Sequence, residues 1–128
     1  MKQAPNPTLS AECEPKDHSP RGVTQAVVSE EAFQRAARFF RAAGDVSRLK
    51  LLARLAEGEW CVTELAQAAH AALPTVSQQL RLLRAERLVT RRRVGKHVYY
   101  ALADGHIRSL IASALEHAVE DQPSMNDD

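Results

Sequence analysis

Only two cysteines, Cys13 and Cys61, occur in the 128-residue chain. That is too few for the disulfide lattice of a small secreted scaffold, and it suits a reducing compartment where thiols stay free, buried or metal-bound. No apolar run approaches the roughly 18 residues of a membrane-spanning helix, and Met1-Lys2-Gln3-Ala4-Pro5-Asn6-Pro7 lacks the apolar core of a signal peptide. The expected location is therefore the cytoplasm, with no membrane partner. No serine lies in a nucleophile elbow and no Gly-rich phosphate loop is present, so the chain is not expected to be an enzyme. A hydrophobic content of 45% and a charged content of 26% fit one ordinary globular domain of this length.

Net charge is also nearly absent, at +1, but the balance hides an asymmetry. Between Thr75 and Tyr100 seven cations (Arg81, Arg84, Arg87, Arg91, Arg92, Arg93 and Lys96) face Glu86 alone, a local charge of +6. Between Ala101 and Asp128, Arg108 faces Asp104, Glu116, Glu120, Asp121, Asp127 and Asp128, a local charge of −5. A basic middle beside an acidic end points to a nucleic-acid face and a separate end that attracts cations.

Residues 1–28 hold four of the six prolines and show no helical or strand period, which predicts a flexible tail carrying Cys13 and His18. A folded domain is expected over 29–120, and an acidic disordered tail over 121–128. Ser29, with Glu30 and Glu31 behind it, starts a helix that ends at Gly44, with Phe33, Ala36, Ala37 and Phe40 as its apolar stripe. Asp45 caps the next helix, where Leu49, Leu51, Leu52 and Leu55 turn inward until Gly58. Trp60-Cys61-Val62 is a short extended connector, and Thr63 is placed to cap a helix running to about His70.

Leu73-Pro74 opens a further helix to about Glu86, whose stripe Val76, Leu80, Leu83 leaves Ser77, Gln78, Arg81 and Arg84 on the other side. Two such helices joined by a tight turn are a helix-turn-helix with the second as reader. Leu88–Arg93 and His97–Leu102 then flank Val94-Gly95-Lys96, a hairpin with Arg91, Arg92 and Arg93 on one strand and Lys96 at its tip. This is the make-up of a wing that grips phosphate. The predicted fold is mainly α with a small β-hairpin, a winged helix-turn-helix closed by a helix over about Asp104–Val119.

That last helix carries Asp104, His106, His117 and Glu120. His106 and His117 lie about 16 Å apart along the axis, too far to share one ion. With Asp104 at zero, however, Glu120, His106 and His117 fall between roughly 160° and 220°, beside the apolar stripe of Leu110, Ala114, Ile107, Ala118 and Ile111. An antiparallel second copy would set Asp104 and His106 of one chain against His117 and Glu120 of the other. Two imidazoles and two carboxylates suit a tetrahedral zinc ion and leave no open position for a substrate. A second four-ligand set, Cys13, His18, Cys61 and Glu64, forms if the tail folds over the helix after Cys61.

From about Glu31 to Glu120 the chain resembles the ArsR/SmtB metal-sensing repressors, closest to their zinc-sensing members. The marks are Ala43-Gly44-Asp45-Val46-Ser47-Arg48-Leu49, Glu59-Trp60-Cys61-Val62-Thr63-Glu64-Leu65, Pro74-Thr75-Val76-Ser77-Gln78-Gln79-Leu80-Arg81-Leu82-Leu83 and Gly95-Lys96-His97-Val98-Tyr99-Tyr100. The resemblance implies a homodimer joined through its N- and C-terminal helices. It implies a repressor that sits on an inverted-repeat operator when metal-free and leaves when zinc, or cobalt as a mimic, binds on the last helix. It also implies that Thr75, Ser77, Gln78 and Gln79 face the major groove of double-stranded DNA and that the wing from Arg92 to His97 takes phosphates. A glutamine amide can pair bidentately with adenine, whereas the arginines supply salt-dependent affinity.

Three departures stand out. Cys61-Val62-Thr63 has one cysteine where soft-metal sensors carry Cys-x-Cys, Glu64 replaces an Asp, and Ala72 replaces the serine that often caps the reader helix. Two rival functions have distinct signatures: a thiol switch using Cys13 and Cys61, sensitive to oxidant, and a small metal-buffering protein or metal hydrolase with no selective DNA binding.

Overall fold

A computed structural model describes residues 27–120. The expected tails over 1–28 and 121–128, with Cys13 and His18, therefore fall outside the described residues apart from Val27 and Val28. The elements are α1 (Glu30–Ala43), α2 (Val46–Leu55), β1 (Trp60–Cys61), α3 (Val62–Ala69), α4 (Leu73–Ala85), β2 (Val89–Val94), β3 (His97–Leu102) and α5 (Gly105–Glu120). This is the winged helix-turn-helix, with α3 and α4 as its paired helices and β2–β3 as its wing.

Each boundary has a local cause. Ser29 Oγ accepts from the Ala32 N–H at 3.0 Å, and Asp45 Oδ2 accepts from the Arg48 N–H at 3.1 Å, so both helix starts are capped by side chains. Gly44 closes α1 where a Cβ would lie 2.9 Å from the Phe40 carbonyl oxygen, leaving no room for any other residue. Arg48 reaches back over this corner, its Nε donating to the Ala42 carbonyl at 2.6 Å and satisfying one of α1's orphan acceptors.

The connector Trp60-Cys61-Val62 divides differently from the sequence expectation. Trp60 and Cys61 form a strand, Val62 is already helical, and Cys61 occupies the N-cap with no side-chain capping bond. Thr63 thus lies inside α3 and does not cap it. The strand owes its conformation to a tertiary partner: Trp60 pairs with Tyr100 and Cys61 with Tyr99, giving an antiparallel sheet in the order β1-β3-β2.

Leu52, Leu55, Leu65, Val76, Leu80 and Leu83 are fully buried, with Leu88, Val89, Tyr100, Leu102, Ile107 and Ile111 packed round them. The α4 stripe read from its spacing is thus a core stripe. The α1 stripe is not. That helix meets the core through Ala42, Ala43 and the partly buried Phe39, while Phe33 is 58% exposed and Phe40 62% exposed. A helix can carry two apolar faces, and only one of α1's is packed against the core among the described residues. On α5 the core side is Ile107 and Ile111, whereas Leu110, Leu115 and Val119 are exposed.

Candidate nucleic-acid interface and metal-ligand positions

α4 begins at Leu73 with Pro74 in its first turn and Ala72 as an N-cap lacking a side-chain bond, as the sequence implied. Because Val76, Leu80 and Leu83 anchor one side, Thr75, Gln78, Arg81 and Arg84 are exposed on the rest, with Ser77 and Gln79 half-buried at the margins. β2 and β3 are joined by a two-residue turn in which Gly95 takes φ +60°, so Val94 faces His97 and Lys96 stands at the tip.

Strand alternation separates the three wing arginines. Arg91 and Arg93 oppose Tyr100 and Val98, and Arg92 opposes Tyr99. Arg91 consequently shares a cleft of about 410 Å³ with Ser77, Arg81 and Arg84, over a floor of Val98 and Tyr100. Three guanidinium groups and a hydroxyl beside an exposed helix make a natural seat for phosphate.

Arg92 is committed elsewhere. Its Nε and one terminal nitrogen donate to the two carboxylate oxygens of Glu59 at 2.7 and 2.9 Å, and its guanidinium carbon lies 5.3 Å from the Tyr99 ring centre. The hydrogen bond from Arg92 holds the Glu59 carboxyl below its ordinary range, with burial opposing and charge attraction assisting. A lowered carboxyl means that the pair is intact above the usual glutamate range and is lost as pH falls through the lowered value. Both side chains are well exposed, so the pair contributes little to stability and mainly fixes where Arg92 points. Glu59 lies 33 residues away, and nothing in the local pattern marked it as a partner.

The four α5 candidates are split between its ends. Asp104 precedes the helix as its cap, with Oδ1 accepting from the Ile107 N–H at 3.0 Å, and His106 Nδ1 stands 3.9 Å from the same oxygen. His106 is 96% exposed. His117 and Glu120 occupy the last turns, also exposed. The structure therefore brings Asp104 and His106 together but not His117 and Glu120 with them, and among the described residues no three ligand-type side chains cluster within one chain. The donor set nonetheless fits a dication: two imidazoles and two carboxylates are all at the surface, and only one Asp104 oxygen is held by the backbone.

Of the second set, Cys61 is buried and Glu64 sits exposed in the first turn of α3, while Cys13 and His18 lie outside the described residues. The sequence reading missed His97 here. Its Nδ1 is 4.0 Å from Cys61 Sγ, because β1 and β3 are paired and residues 61 and 97 become diagonal neighbours across the ladder. Treating 60–62 as an unpaired connector concealed that relation.

Residues 45–91 match the bacterial regulatory protein, arsR family. The chain is 46% identical over 100 residues to a transcriptional repressor SmtB homolog of Synechocystis sp., covering 78% of this chain and 76% of that one. It is 38% identical over 91 residues to the HTH-type transcriptional repressor SmtB of Mycobacterium tuberculosis, covering 71% and 67%. Among solved structures it is similar to the homodimeric winged helix-turn-helix DNA-binding domain of a possible ArsR-family transcriptional regulator from Mycobacterium bovis. That match has a TM-score of 0.69 at 32% identity, covering 77% of this chain and 94% of the other. With the capped α2, the helix-turn-helix and the start of the wing inside the matched residues, and with 46% identity over most of both chains to an SmtB homolog, the chain belongs to the ArsR/SmtB family of winged helix-turn-helix regulatory proteins.

Proposed function

We propose that the protein is a homodimeric, metal-responsive transcriptional repressor of the cytoplasm. It binds an inverted-repeat operator when metal-free and is released by zinc, or by cobalt as a mimic, held between subunits on α5. The observation that carries the reading is the occurrence, in one chain, of a basic α4 and wing and of an α5 with an exposed His-carboxylate pair at each end. In a dimer, two copies of α4 enter successive major grooves about 34–36 Å apart, which requires an operator with twofold symmetry. Gln78 reads a base edge, with Thr75, Ser77 and Gln79 beside it, and Arg81, Arg84, Arg91, Arg93, Lys96 and His97 line the phosphate side.

Asp104 and His106 of one subunit, with His117 and Glu120 of the other, hold the ion, which when bound ties the two α5 helices together. Release needs only that the tied arrangement disfavour the spacing of the two readers that the operator demands. Exposed Phe33 and Phe40 on α1, with Leu110 and Val119 on α5, support a seam through the N- and C-terminal helices. Cys61 and Glu64, with Cys13 and His18, form an additional site. Among the described residues no helix is long and apolar enough to cross a membrane. The reading is that of a regulator and not of an enzyme.

Duplexes enriched by the protein from a random-sequence pool test this directly. An inverted repeat should emerge, and fluorescence anisotropy should show it bound tightly without zinc and weakly with it. Equal affinity in both conditions rejects the sensing role, and the thiol-switch alternative predicts instead an oxidant response that Cys61→Ser removes. The two wing arginines separate on the same assay: Arg91→Gln should flatten the dependence of log affinity on log salt by about 0.9, the value of one lost phosphate contact. Arg92→Gln should change it much less, because its charge is already matched by Glu59. Equal losses from both variants reject this assignment.

A further inference from the structure

A helix lying in a major groove about 12 Å wide has a phosphate strand on each side, so a reader needs a grip on both. With Val76 at zero and about 100° per residue, the buried stripe of α4 centres near 0° and Gln78 stands near 200°, pointing away from the core. Ser77, Arg81 and Arg84 fall between roughly 80° and 140°, on the wing side. Thr75 and Gln79 fall between roughly 260° and 300°, on the opposite margin, and no wing residue is there to serve it.

That second margin is a cleft of about 250 Å³ between α2 and the helix-turn-helix, lined by Thr75 and Gln79 from α4, His70 from the turn, and Ser47, Lys50 and Arg54 from α2. The three α2 residues sit at i, i+3 and i+7 and so share one face. Among the described residues no carboxylate lines the cleft. Among the described residues neither Lys50 nor Arg54 is in an ion pair, and Arg54 Nε is buried with no hydrogen-bond partner. Lys50 and Ser47 are exposed. A cationic edge left unmatched beside a DNA-reading helix is placed for phosphate oxygens.

We infer that Lys50 and Arg54, with the Ser47 hydroxyl, form a second phosphate grip that holds the DNA strand on the side of α4 opposite the wing. The inference rests on the reading that α4 enters a duplex groove. The grip carries no base preference, since it contacts backbone alone. It sets the depth and tilt of α4 by opposing the pull of Arg81, Arg84 and Arg91.

Anisotropy titrations of the full-length dimer from about 50 to 300 mM salt, on the enriched duplex and on a scrambled one of equal length, test it. Lys50→Gln, at an exposed site that leaves the fold alone, should flatten the salt dependence by about one and weaken both duplexes alike by about three- to tenfold. Ser47→Asp puts an anion in the cleft yet suits the first turn of α2, where negative charge favours the helix. It should therefore raise or preserve the melting temperature while lowering affinity for both duplexes. A wild-type salt slope in Lys50→Gln, or wild-type affinity in Ser47→Asp, overturns the second grip and leaves the DNA reading standing. If the unaltered protein enriches no duplex at all, the DNA reading itself fails and this inference with it.

Discussion

Zinc should lower the affinity of the unaltered dimer for its operator by about 5- to 150-fold, and His117→Ala should abolish that response while leaving metal-free binding intact. The range corresponds to a coupling of about 1–3 kcal/mol between effector and DNA sites. His117 is chosen because it lies exposed in the last turns of α5 and, among the described residues, its side chain makes no hydrogen bond, so its loss should not disturb the fold. Asp104→Ala is a poorer probe, since it also removes the cap on the Ile107 N–H and would cost about 1 kcal/mol of helix stability. A sharper check mixes two variants. His106→Ala and His117→Ala chains, each silent as homodimers, should recover one working site in the heterodimer, because each supplies what the other lacks. Persistent zinc release in the His117→Ala homodimer would remove α5 from the sensing role.

Phe40→Glu should split the dimer and reduce operator affinity by at least about 100-fold. Phe40 is 62% exposed in one chain, so a carboxylate there costs the protomer little, and glutamate is a good helix former. In the proposed seam the same substitution places two charges into an apolar contact near a twofold axis. Once the subunits separate, each half-site is bound independently, and the gain from tethering two readers, commonly about 10²- to 10⁴-fold, disappears. Sedimentation velocity should show a monomer with an unchanged helical circular dichroism signal. A dimer that survives would move the seam away from the α1 stripe.

How much could be read beforehand depended on whether the cause was local. The reader helix was legible because Val76, Leu80 and Leu83 repeat at the helical period and Pro74 marks the start. Gly95 announced the wing turn, and Asp45 its cap. The direction of the α1 stripe was not legible, since spacing shows that Phe33 and Phe40 share a face but not which neighbour takes it. β1 was invisible for a related reason: a two-residue strand has no period, and it exists because β3 is beside it. Arg92 looked like its neighbours in a run of three, and only Glu59, brought in by the fold, distinguishes it. The position of the α5 residues was legible, because the same helical angles that place Ile107 and Ile111 on the core leave His106, His117 and Glu120 exposed beside it.

The Trp60 indole N–H donates to the Arg54 carbonyl at 2.9 Å, from a strand whose other edge is hydrogen-bonded to the wing. The two jaws on either side of α4 are thereby yoked through one residue: α2 on one side, β3 on the other, Trp60 between. Under the proposed double grip the two phosphate-binding edges would sit a set width apart, so a groove of the wrong span should bind poorly even where every base is right.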